Sequence, residues 1–245
     1  MSPPLKAFVL AAGMGTRMRP LTDEMPKCLL PIGNKPLLQI WLENLERHGI
    51  DEVIINTHWC AAKVEEFIQK KRFNLRVITF HEPELLGSGG TIWANREWVE
   101  DGSPFFILYG DNLTDVNLTN LLRFHLDHGH PFTLGVFKAE NPSHCGIAEV
   151  QEDGLVTGFV EKPKQPRSDL AAAGVYLADR RIFEAFPVQG NNADGFARLI
   201  DLGFHVIPNL VIKMKAYLIK EFLMDIGTPE SYRKAQTLWK EGGHE

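Results

Sequence analysis

The first 138 residues alternate short apolar runs with stretches whose apolar residues recur at helical spacing. Strands are predicted at 6–11, 52–56, 75–80, 105–109 and 132–138, and helices at 35–48, 61–71, 91–99 and 117–128. Asn34 is expected to cap the first helix and Gly49 to end it. This alternation predicts an α/β fold, a Rossmann-like, mostly parallel mixed sheet with helices on both faces. Ligands bind such sheets at the carboxyl ends of the strands.

The second half has a different pattern and predicts a small β-rich lobe. A hairpin is predicted from 147–151 and 155–160, then a polar loop at 162–169, a strand at 172–177 and a helix at 179–185. A connection follows at 188–195, and a terminal helix is predicted at 229–239. The runs 216–220 and 222–225 are expected to pair with each other across a turn.

Composition excludes several functional classes. The 245 residues carry a net charge of −5, which argues against a general nucleic-acid binder. The three cysteines have no metal-site spacing, which favours reduced thiols and a cytoplasmic protein. No apolar stretch approaches the length of about 18 residues that a membrane helix needs, and the N-terminus does not resemble a signal peptide. His125, His128 and His130 are expected to form a solvated helix end.

The segment Leu10-Ala-Ala-Gly-Met-Gly-Thr-Arg-Met-Arg-Pro-Leu-Thr22 follows the first apolar run directly. Gly13 and Gly15 have no Cβ, so backbone N–H groups there can approach a polyphosphate closely. Arg17, Arg19 and Lys27 add three cations within a short stretch. A strand, a small-residue turn and then cations suit the binding of a nucleoside triphosphate by its phosphates, although a glycine turn with solvated arginines has the same pattern.

Two common phosphate motifs are excluded at this turn. The dinucleotide fingerprint requires a third glycine where this chain has Met18. A Walker loop ends in Gly-Lys-Ser/Thr, and this chain has Gly15-Thr16 instead.

Several further motifs occur in order along the chain. They are Pro26-Lys27, Gly87-Ser-Gly-Gly90, Tyr109-Gly-Asp111, Val160-Glu-Lys-Pro163, Ala173-Gly-Val-Tyr176 and Asp225-Ile-Gly-Thr-Pro-Glu230. Together with the glycine turn, this set resembles the sugar-1-phosphate nucleotidyltransferases, the nucleotide-sugar pyrophosphorylases, over about residues 5–235. The chain looks most like the short mannose-1-phosphate guanylyltransferase-type members, without the C-terminal β-helix that some relatives carry.

The resemblance implies a GT-A-like nucleotidyltransferase fold and Mg²⁺-dependent nucleotidyl transfer to a sugar 1-phosphate. It implies one domain over 1–245, with a nucleotide-binding half at 1–138 and a sugar-phosphate-binding half with the terminal helix at 139–245. The implied catalytic residues are Arg17, Lys27, Asp111, Lys162 and Asp225, of which Asp111 and Asp225 match the family's magnesium ligands. A single Asp after a strand often serves only to form a turn. Because Asp111 and Asp225 are 114 positions apart, their spacing in the sequence does not indicate whether they lie close together in space.

The implied binding residues fall into two groups. Those for the nucleotide are Leu10, Ala11, Ala12, Gly13, Gly15, Thr16, Arg17, Lys27, Glu82, Gly87, Ser88, Gly89 and Gly110. Those for the sugar phosphate are Gly146, Glu161, Lys162, Ala172 and Gly174. Glu82 could accept two parallel hydrogen bonds from guanine, or it could be a solvated loop acid. Likewise, Glu161 and Lys162 could be only a surface ion pair.

The sequence leaves several pairs of nucleoside triphosphate and sugar 1-phosphate as possible substrates. GTP with mannose 1-phosphate is preferred, and the alternatives are UTP with an N-acetylated sugar 1-phosphate, GTP with a heptose 1-phosphate, and a thymidylyl or cytidylyl transferase. Ala172 and Cys145 depart from the family pattern on the sugar side, which puts the hexose in doubt. A non-catalytic regulatory paralogue is a further alternative. The expected partners are small molecules, with no nucleic acid and no membrane, and a homodimer is open.

Overall fold

The computed structural model describes residues 3–100, 102–187 and 199–239. The strands are β1 Lys6–Leu10, β2 Pro31–Ile32, β3 Lys35–Pro36, β4 Glu52–Thr57, β5 Arg76–His81, β6 Phe105–Tyr109, β7 Asn112–Thr114, β8 Phe132–Lys138, β9 Gly146–Val150, β10 Val156–Glu161, β11 Leu170–Ala178, β12 Met214–Leu218 and β13 Leu223–Asp225. The α-helices are α1 Leu37–Arg47, α2 Ala61–Lys70, α3 Gly87–Ala94, α4 Leu118–His128 and α5 Pro229–Leu238. The connection predicted at 188–195 lies outside the described residues.

The chain divides into two compact units. The N-terminal unit comprises residues 2–85, 108–118 and 220–245, and the central unit comprises residues 86–107 and 119–219. The division falls within β6 and near the start of α4.

The N-terminal unit is built on parallel strands. In β1, β4 and β5 the register aligns Phe8 with Ile54 and Ile54 with Ile78. The end of β6 adjoins β1, where the N–H of Gly110 donates to the carbonyl of Leu10 at 2.9 Å. The strands β1 and β4 are buried along nearly their whole length, as is typical of parallel strands, whereas β5 is half-buried to exposed.

The start of α1 differs from the prediction. The helix begins at Leu37, and its N-cap is Pro36, which makes no side-chain capping hydrogen bond. Asn34 therefore does not cap the helix, because Lys35 and Pro36 pair with β2 in a short hairpin. Gly49, with a φ of +70°, ends the helix as predicted.

Two strands near the C-terminal end of the chain pair differently from the prediction. The strand β12 pairs in parallel with β8, aligning Met214 with Phe132. The strand β13 pairs antiparallel with β7, aligning Asp225 with Asn112. The predicted pairing of 216–220 with 222–225 is therefore wrong.

The central unit contains the antiparallel part of the sheet. The predicted hairpin is confirmed as β9 and β10, and β11 pairs antiparallel with both β8 and β9. Gly174, with a φ of +65°, lies where the β8–β11 register shifts between Ala172 and Tyr176. The mixed α/β class with a mostly parallel sheet is confirmed. Among the described residues, no helix is both long and apolar enough to cross a membrane.

His125 and His128, at the end of α4, do not form a solvated helix end, so the prediction is wrong for these two histidines. His125 is 4% exposed, and its Nδ1 lies 2.8 Å from Thr133 Oγ1. His128 Nε2 lies at the same distance from the same hydroxyl. Burial lowers the pKa of both rings to about 4.

Candidate active site

The buried side chain of Asn56 anchors the start of the glycine turn by hydrogen bonds. Oδ1 of Asn56, at the end of β4, accepts hydrogen bonds from the N–H groups of Ala11 and Ala12 at 2.6 and 3.2 Å. Gly15 has a φ of +63°, which favours glycine. Its carbonyl accepts a hydrogen bond from the buried Thr22 hydroxyl at 2.7 Å. The turn is therefore a folded loop anchored at both ends.

The cations of the turn lie in different environments. Thr16–Met18 is a single 3-10 turn in which Met18 is fully buried while Thr16 and Arg17 are exposed. Arg19 forms an exposed ion pair with Asp23 at 3.4 Å. Arg17 points elsewhere, since a Cβ on Gly227 would lie 3.0 Å from its Nη2 atom and 2.8 Å from Oδ1 of Asp225. The Arg17 guanidinium and the Asp225 carboxylate thus both lie beside Gly227.

Lys27 joins the two carboxylates. It lies in the 3-10 turn Lys27–Leu29 and is 8% exposed. Its Nζ is 2.7 Å from Asp111 Oδ2 and 3.4 Å from Asp225 Oδ1. Residues separated by 84 and 198 positions therefore converge on one ammonium group.

Backbone pairing explains how Asp111 and Asp225 meet. A Cβ on Gly110 would lie 3.1 Å from the Leu10 carbonyl oxygen, so glycine allows the chain to turn closely against β1. The β7–β13 pair then aligns Asn112 with Asp225, and the N–H of Ile226 donates to the Asp111 carbonyl at 3.3 Å. The two aspartates are thereby held at the same end of a short antiparallel ribbon.

The donor set at this point fits a divalent metal ion such as Mg²⁺. Among the described residues there is no cluster of three or more His, Cys, Asp or Glu that could hold a metal. Mg²⁺ commonly takes only one or two protein carboxylates and completes its octahedron with water and substrate phosphate. Asp111 and Asp225 already share one positive charge, that of Lys27. They are the residues that could hold the metal.

Glu82 lies behind the glycine turn. It is 1% exposed, and its Oε1 accepts a hydrogen bond from Asn56 Nδ2 at 2.9 Å. Because the same Asn56 amide holds Ala11 and Ala12, Glu82 supports the turn through Asn56. Its pairing with guanine stays a prediction, and the alternative of a solvated loop acid is wrong because the residue is buried. Sequence reasoning missed Asn56; its signal was a polar residue closing the apolar run of β4.

The glycine-rich segment Gly87–Gly90 belongs to the central unit and forms the first turn of α3. The N–H groups of Gly89 and Gly90 donate to the Ile200 carbonyl at 2.8 and 3.1 Å. The Ser88 hydroxyl donates to Asp201 Oδ2 at 3.2 Å and accepts from the N–H of Leu202 at 2.8 Å. The predicted contact of Gly87, Ser88 and Gly89 with nucleotide stays a prediction.

The carboxylate of Glu161 fits between two glycines of the central unit. A Cβ on Gly146 or on Gly203 would lie 2.5 Å from its Oε2 atom. The Glu161 side chain is 16% exposed, with the Lys162 ammonium 3.7 Å from Oε1. Burial raises the pKa of Glu161, Lys162 opposes that rise, and the charge of Asp201 adds to it. Gly203 and Asp201 are residues that sequence reasoning missed, because no pattern marked them.

Lys162 has a strained backbone beside this carboxylate. Its φ is +49°, an uncommon value for a residue with a side chain. Its N–H donates to the Cys145 carbonyl at 3.0 Å, and its ammonium lies 5.8 Å from the centre of the Phe204 ring. Its side chain is 58% exposed, so the charge is available to solvent. Nearby in the same unit, burial and then the charge of Glu161 raise the pKa of Tyr176.

The predicted residues thus form two clusters. Arg17, Lys27, Asp111 and Asp225 converge in the N-terminal unit, with the glycine turn beginning at the end of β1. The residues predicted for the sugar phosphate, from Gly146 to Gly174, belong to the central unit.

Comparison with known proteins identifies the relatives. Mannose-1-phosphate guanylyltransferase catalytic subunit beta of Drosophila melanogaster is 30% identical over 239 residues, covering 96% of this chain and 62% of that protein. Mannose-1-phosphate guanyltransferase beta-A of Xenopus laevis is 31% identical over 234 residues, covering 93% of this chain and 62% of that protein. The chain therefore spans less than two thirds of the length of these relatives.

Solved structures share the fold. HddC from Yersinia pseudotuberculosis complexed with GMP-PN has a TM-score of 0.78 and 25% identity, covering 96% of this chain and 100% of that one. UDP-glucose pyrophosphorylase complexed with UDP-glucose has a TM-score of 0.79 and 22% identity, covering 96% of this chain and 98% of that one. A sequence model described as "Nucleotidyl transferase" matches residues 6–242. With nearly its whole length matched, this chain belongs to the nucleotidyl transferase family.

Proposed function

We propose that this chain transfers a nucleotidyl group from a nucleoside triphosphate to a sugar 1-phosphate, producing a nucleoside diphosphate sugar and pyrophosphate. The observation that carries the proposal is the convergence of Lys27, Asp111 and Asp225 in the unit that contains the glycine turn. Two carboxylates for a metal, a buried cation and the exposed Arg17 are the groups that polyphosphate chemistry needs. Membership of the nucleotidyl transferase family supports the same reaction.

The reaction makes specific demands on the protein. A phosphate oxygen of the sugar 1-phosphate attacks the α-phosphorus, and the bond from that phosphorus to the bridging oxygen of pyrophosphate breaks. The attacking phosphate is mostly dianionic at neutral pH, because its second pKa is about 6. It therefore needs no general base. The protein has to offset the repulsion between two anions and hold them in line.

Four charged side chains meet these demands. Lys27 would contact the α-phosphate, where negative charge develops in the transition state. The guanidinium of Arg17 would hold the β- and γ-phosphates through parallel hydrogen bonds. Lys162 would hold the sugar phosphate, and Glu161 would accept hydrogen bonds from sugar hydroxyls. The raised pKa of Glu161 reflects a carboxylate that burial has deprived of water, so a hydroxyl donor would satisfy it.

Sugar nucleotidyltransferases generally depend on a divalent metal, and we propose Mg²⁺ held by Asp111 and Asp225. When bound, the metal supplies charge neutralisation at the phosphates and orients them.

For the substrates, we propose GTP and mannose 1-phosphate. The curated relatives named mannose-1-phosphate guanylyltransferase support this pair, and the HddC structure complexed with GMP-PN supports a guanine nucleotide. The cytoplasmic location, the homodimer and the single-domain organisation stay predictions.

A substrate grid tests the proposal. Pyrophosphate release would be measured for each of GTP, UTP, dTTP, CTP and ATP with mannose, glucose, heptose and N-acetylated sugar 1-phosphates in Mg²⁺. We expect the highest kcat/KM for GTP with mannose 1-phosphate. Fast release with another pair would overturn the substrates alone. Nucleotide-sugar binding without turnover for any pair would instead indicate a regulatory paralogue, and Asp111→Asn would serve as the inactive control.

A further inference from the structure

The Lys27 ammonium occupies the position where two carboxylates concentrate negative charge. It lies 2.7 Å from Asp111 Oδ2 and 3.4 Å from Asp225 Oδ1. The lysine side chain is 10% exposed, whereas the aspartate side chains are 39% and 60% exposed. The ammonium therefore reaches the carboxylates from the protein side, and their other faces are open to solvent.

This arrangement sets up a competition between cations. Two carboxylates held close together repel each other, and a neighbouring cation relieves that repulsion. In the structure, the Lys27 ammonium occupies that neighbouring position. A divalent ion that arrives from solvent meets carboxylates whose charge is partly neutralised, and it also meets repulsion from the ammonium.

The position of Lys27 allows the ammonium to leave without a change of fold. Its backbone lies in a 3-10 turn closed by the hydrogen bond from the Leu30 N–H to the Lys27 carbonyl at 3.1 Å. The neighbouring Cys28 and Leu29 are buried and anchor that turn. Movement is therefore restricted to the flexible four-carbon side chain.

We propose that Lys27 is an internal substitute for the metal ion. While its ammonium bridges Asp111 and Asp225, free divalent cations bind weakly. A triphosphate offers the ammonium a stronger partner in an α-phosphate oxygen, and the two carboxylates are then released for the metal. This inference rests on the proposed function for the identity of the second ligand. It makes metal and nucleotide binding mutually reinforcing, because a coupling free energy acts equally on both ligands.

Metal binding without nucleotide tests the first half of the inference. The dissociation constant of Mn²⁺ would be measured by electron paramagnetic resonance on the native chain of 245 residues and on Lys27→Met. We expect Lys27→Met to bind Mn²⁺ at least about tenfold more tightly, a change of about 1.4 kcal/mol. The matched control is Lys35→Met, because Lys35 pairs with Glu43 at 3.0 Å in the same unit. That variant should keep the native Mn²⁺ affinity.

Equal or weaker Mn²⁺ binding by a folded Lys27→Met protein would overturn the inference. If Lys27→Met does not fold, Lys27→Gln provides the same comparison with a polar side chain. The rise in thermal midpoint on adding Mn²⁺ gives a second reading, which should be larger in either variant than in the native chain.

Coupling to nucleotide tests the second half. A non-hydrolysable GTP analogue should improve Mn²⁺ affinity more in the native chain than in Lys27→Met, after correction for Mn²⁺ bound by the analogue in solution. Equal gains in both proteins would contradict release by the triphosphate. The two proposals fail separately: an active native chain with unchanged Mn²⁺ affinity in Lys27→Met refutes only the inference. Absence of activity with any substrate pair, together with tighter Mn²⁺ binding in the variant, refutes only the proposed function.

Discussion

Replacing Gly203 with alanine should displace the carboxylate proposed to bind the sugar. The added methyl would lie 2.5 Å from Glu161 Oε2, 2.9 Å from Glu161 Cδ and 3.2 Å from Asp201 Oδ1. All of these atoms belong to side chains, so the backbone of the helical turn Leu202–Val206 need not move. The Glu161 carboxylate cannot retreat directly, because Gly146 packs against the same oxygen from another side.

The size of the effect follows from two opposing contributions. Forcing a methyl into an occupied position costs about 1–3 kcal/mol. Replacing glycine by alanine in a helical turn gains about 0.5–1 kcal/mol. In the native background we therefore expect Gly203→Ala to lower the free energy of unfolding by about 0–2.5 kcal/mol, from the difference of these terms. In a Glu161→Ala background both contacts with Glu161 are gone and only the 3.2 Å approach to Asp201 Oδ1 remains. The same substitution should then destabilise the protein less than in the native background, or stabilise it by up to about 1 kcal/mol.

Urea unfolding of the native chain, the two single variants and the double variant measures this coupling. Gly13→Ala is the control, because a methyl there meets no atom within 4 Å, and it should not destabilise the protein. Kinetics add a functional reading: Gly203→Ala should raise the KM for the sugar phosphate and leave the KM for the triphosphate unchanged. The reasoning is refuted if Gly203→Ala changes the free energy of unfolding equally with and without Glu161.

Further changes test the remaining parts of the molecule. Asp111→Asn should lower kcat at least about a hundredfold, since it removes a metal carboxylate, while the thermal midpoint stays near the native value; steady-state kinetics and calorimetry check this. Lys162→Ala should raise the KM for the sugar phosphate far more than the KM for the triphosphate. Equal increases in the two KM values would contradict the proposal that Lys162 binds the sugar phosphate. Burial holds the pKa of His125 and His128 near 4, below the value of 6.5 for an exposed histidine. Below pH 6.5 the unfolded chain takes up protons that the folded chain cannot, so stability should fall from pH 6.5 toward pH 4, and His125→Gln should flatten this decline in urea midpoints. Asn56→Ala would leave the N–H groups of Ala11 and Ala12 without their acceptor, which costs about 1–3 kcal/mol for the buried donor of Ala12 and less for the half-buried donor of Ala11. Chemical denaturation should show this loss together with a higher KM for the triphosphate, and native values of both would contradict the role of this side chain in holding the turn.

Much of the fold was predictable because its signals are local. The apolar runs of β1, β4 and β5, the helical spacing in α1 and the turn at Gly49 each reside within a few neighbouring residues, and the structure confirms them. The glycine turn could also be predicted from the sequence, and so could the absence of a dinucleotide fingerprint and of a Walker loop. Each of these depends on residue types at fixed short spacings. Met18, which excludes the dinucleotide fingerprint, is a buried residue in the structure.

The errors occurred where a distant partner decides the local structure. The strands β2 and β7 have two and three residues, too few to show a period. The helix α3 starts within Gly87–Gly90, although glycine disfavours helix, because the Ile200 carbonyl accepts hydrogen bonds from its first turn. A strand at 222–225 was correctly suggested, but its partner was not, since pairing depends on which edge the folded chain offers.

By itself, the sequence determined the chemical inventory: a glycine turn after a strand, cations beside it, and two aspartates after apolar runs. Only the tertiary structure decided which of these groups meet. The β7–β13 ribbon brings Asp225 beside Asp111, with Lys27 bridging both. Glycines 146 and 203 provide the space for the Glu161 carboxylate. The physical reason is that residue type and spacing act through neighbours along the chain, whereas proximity between distant residues arises from strand pairing and packing of the whole unit.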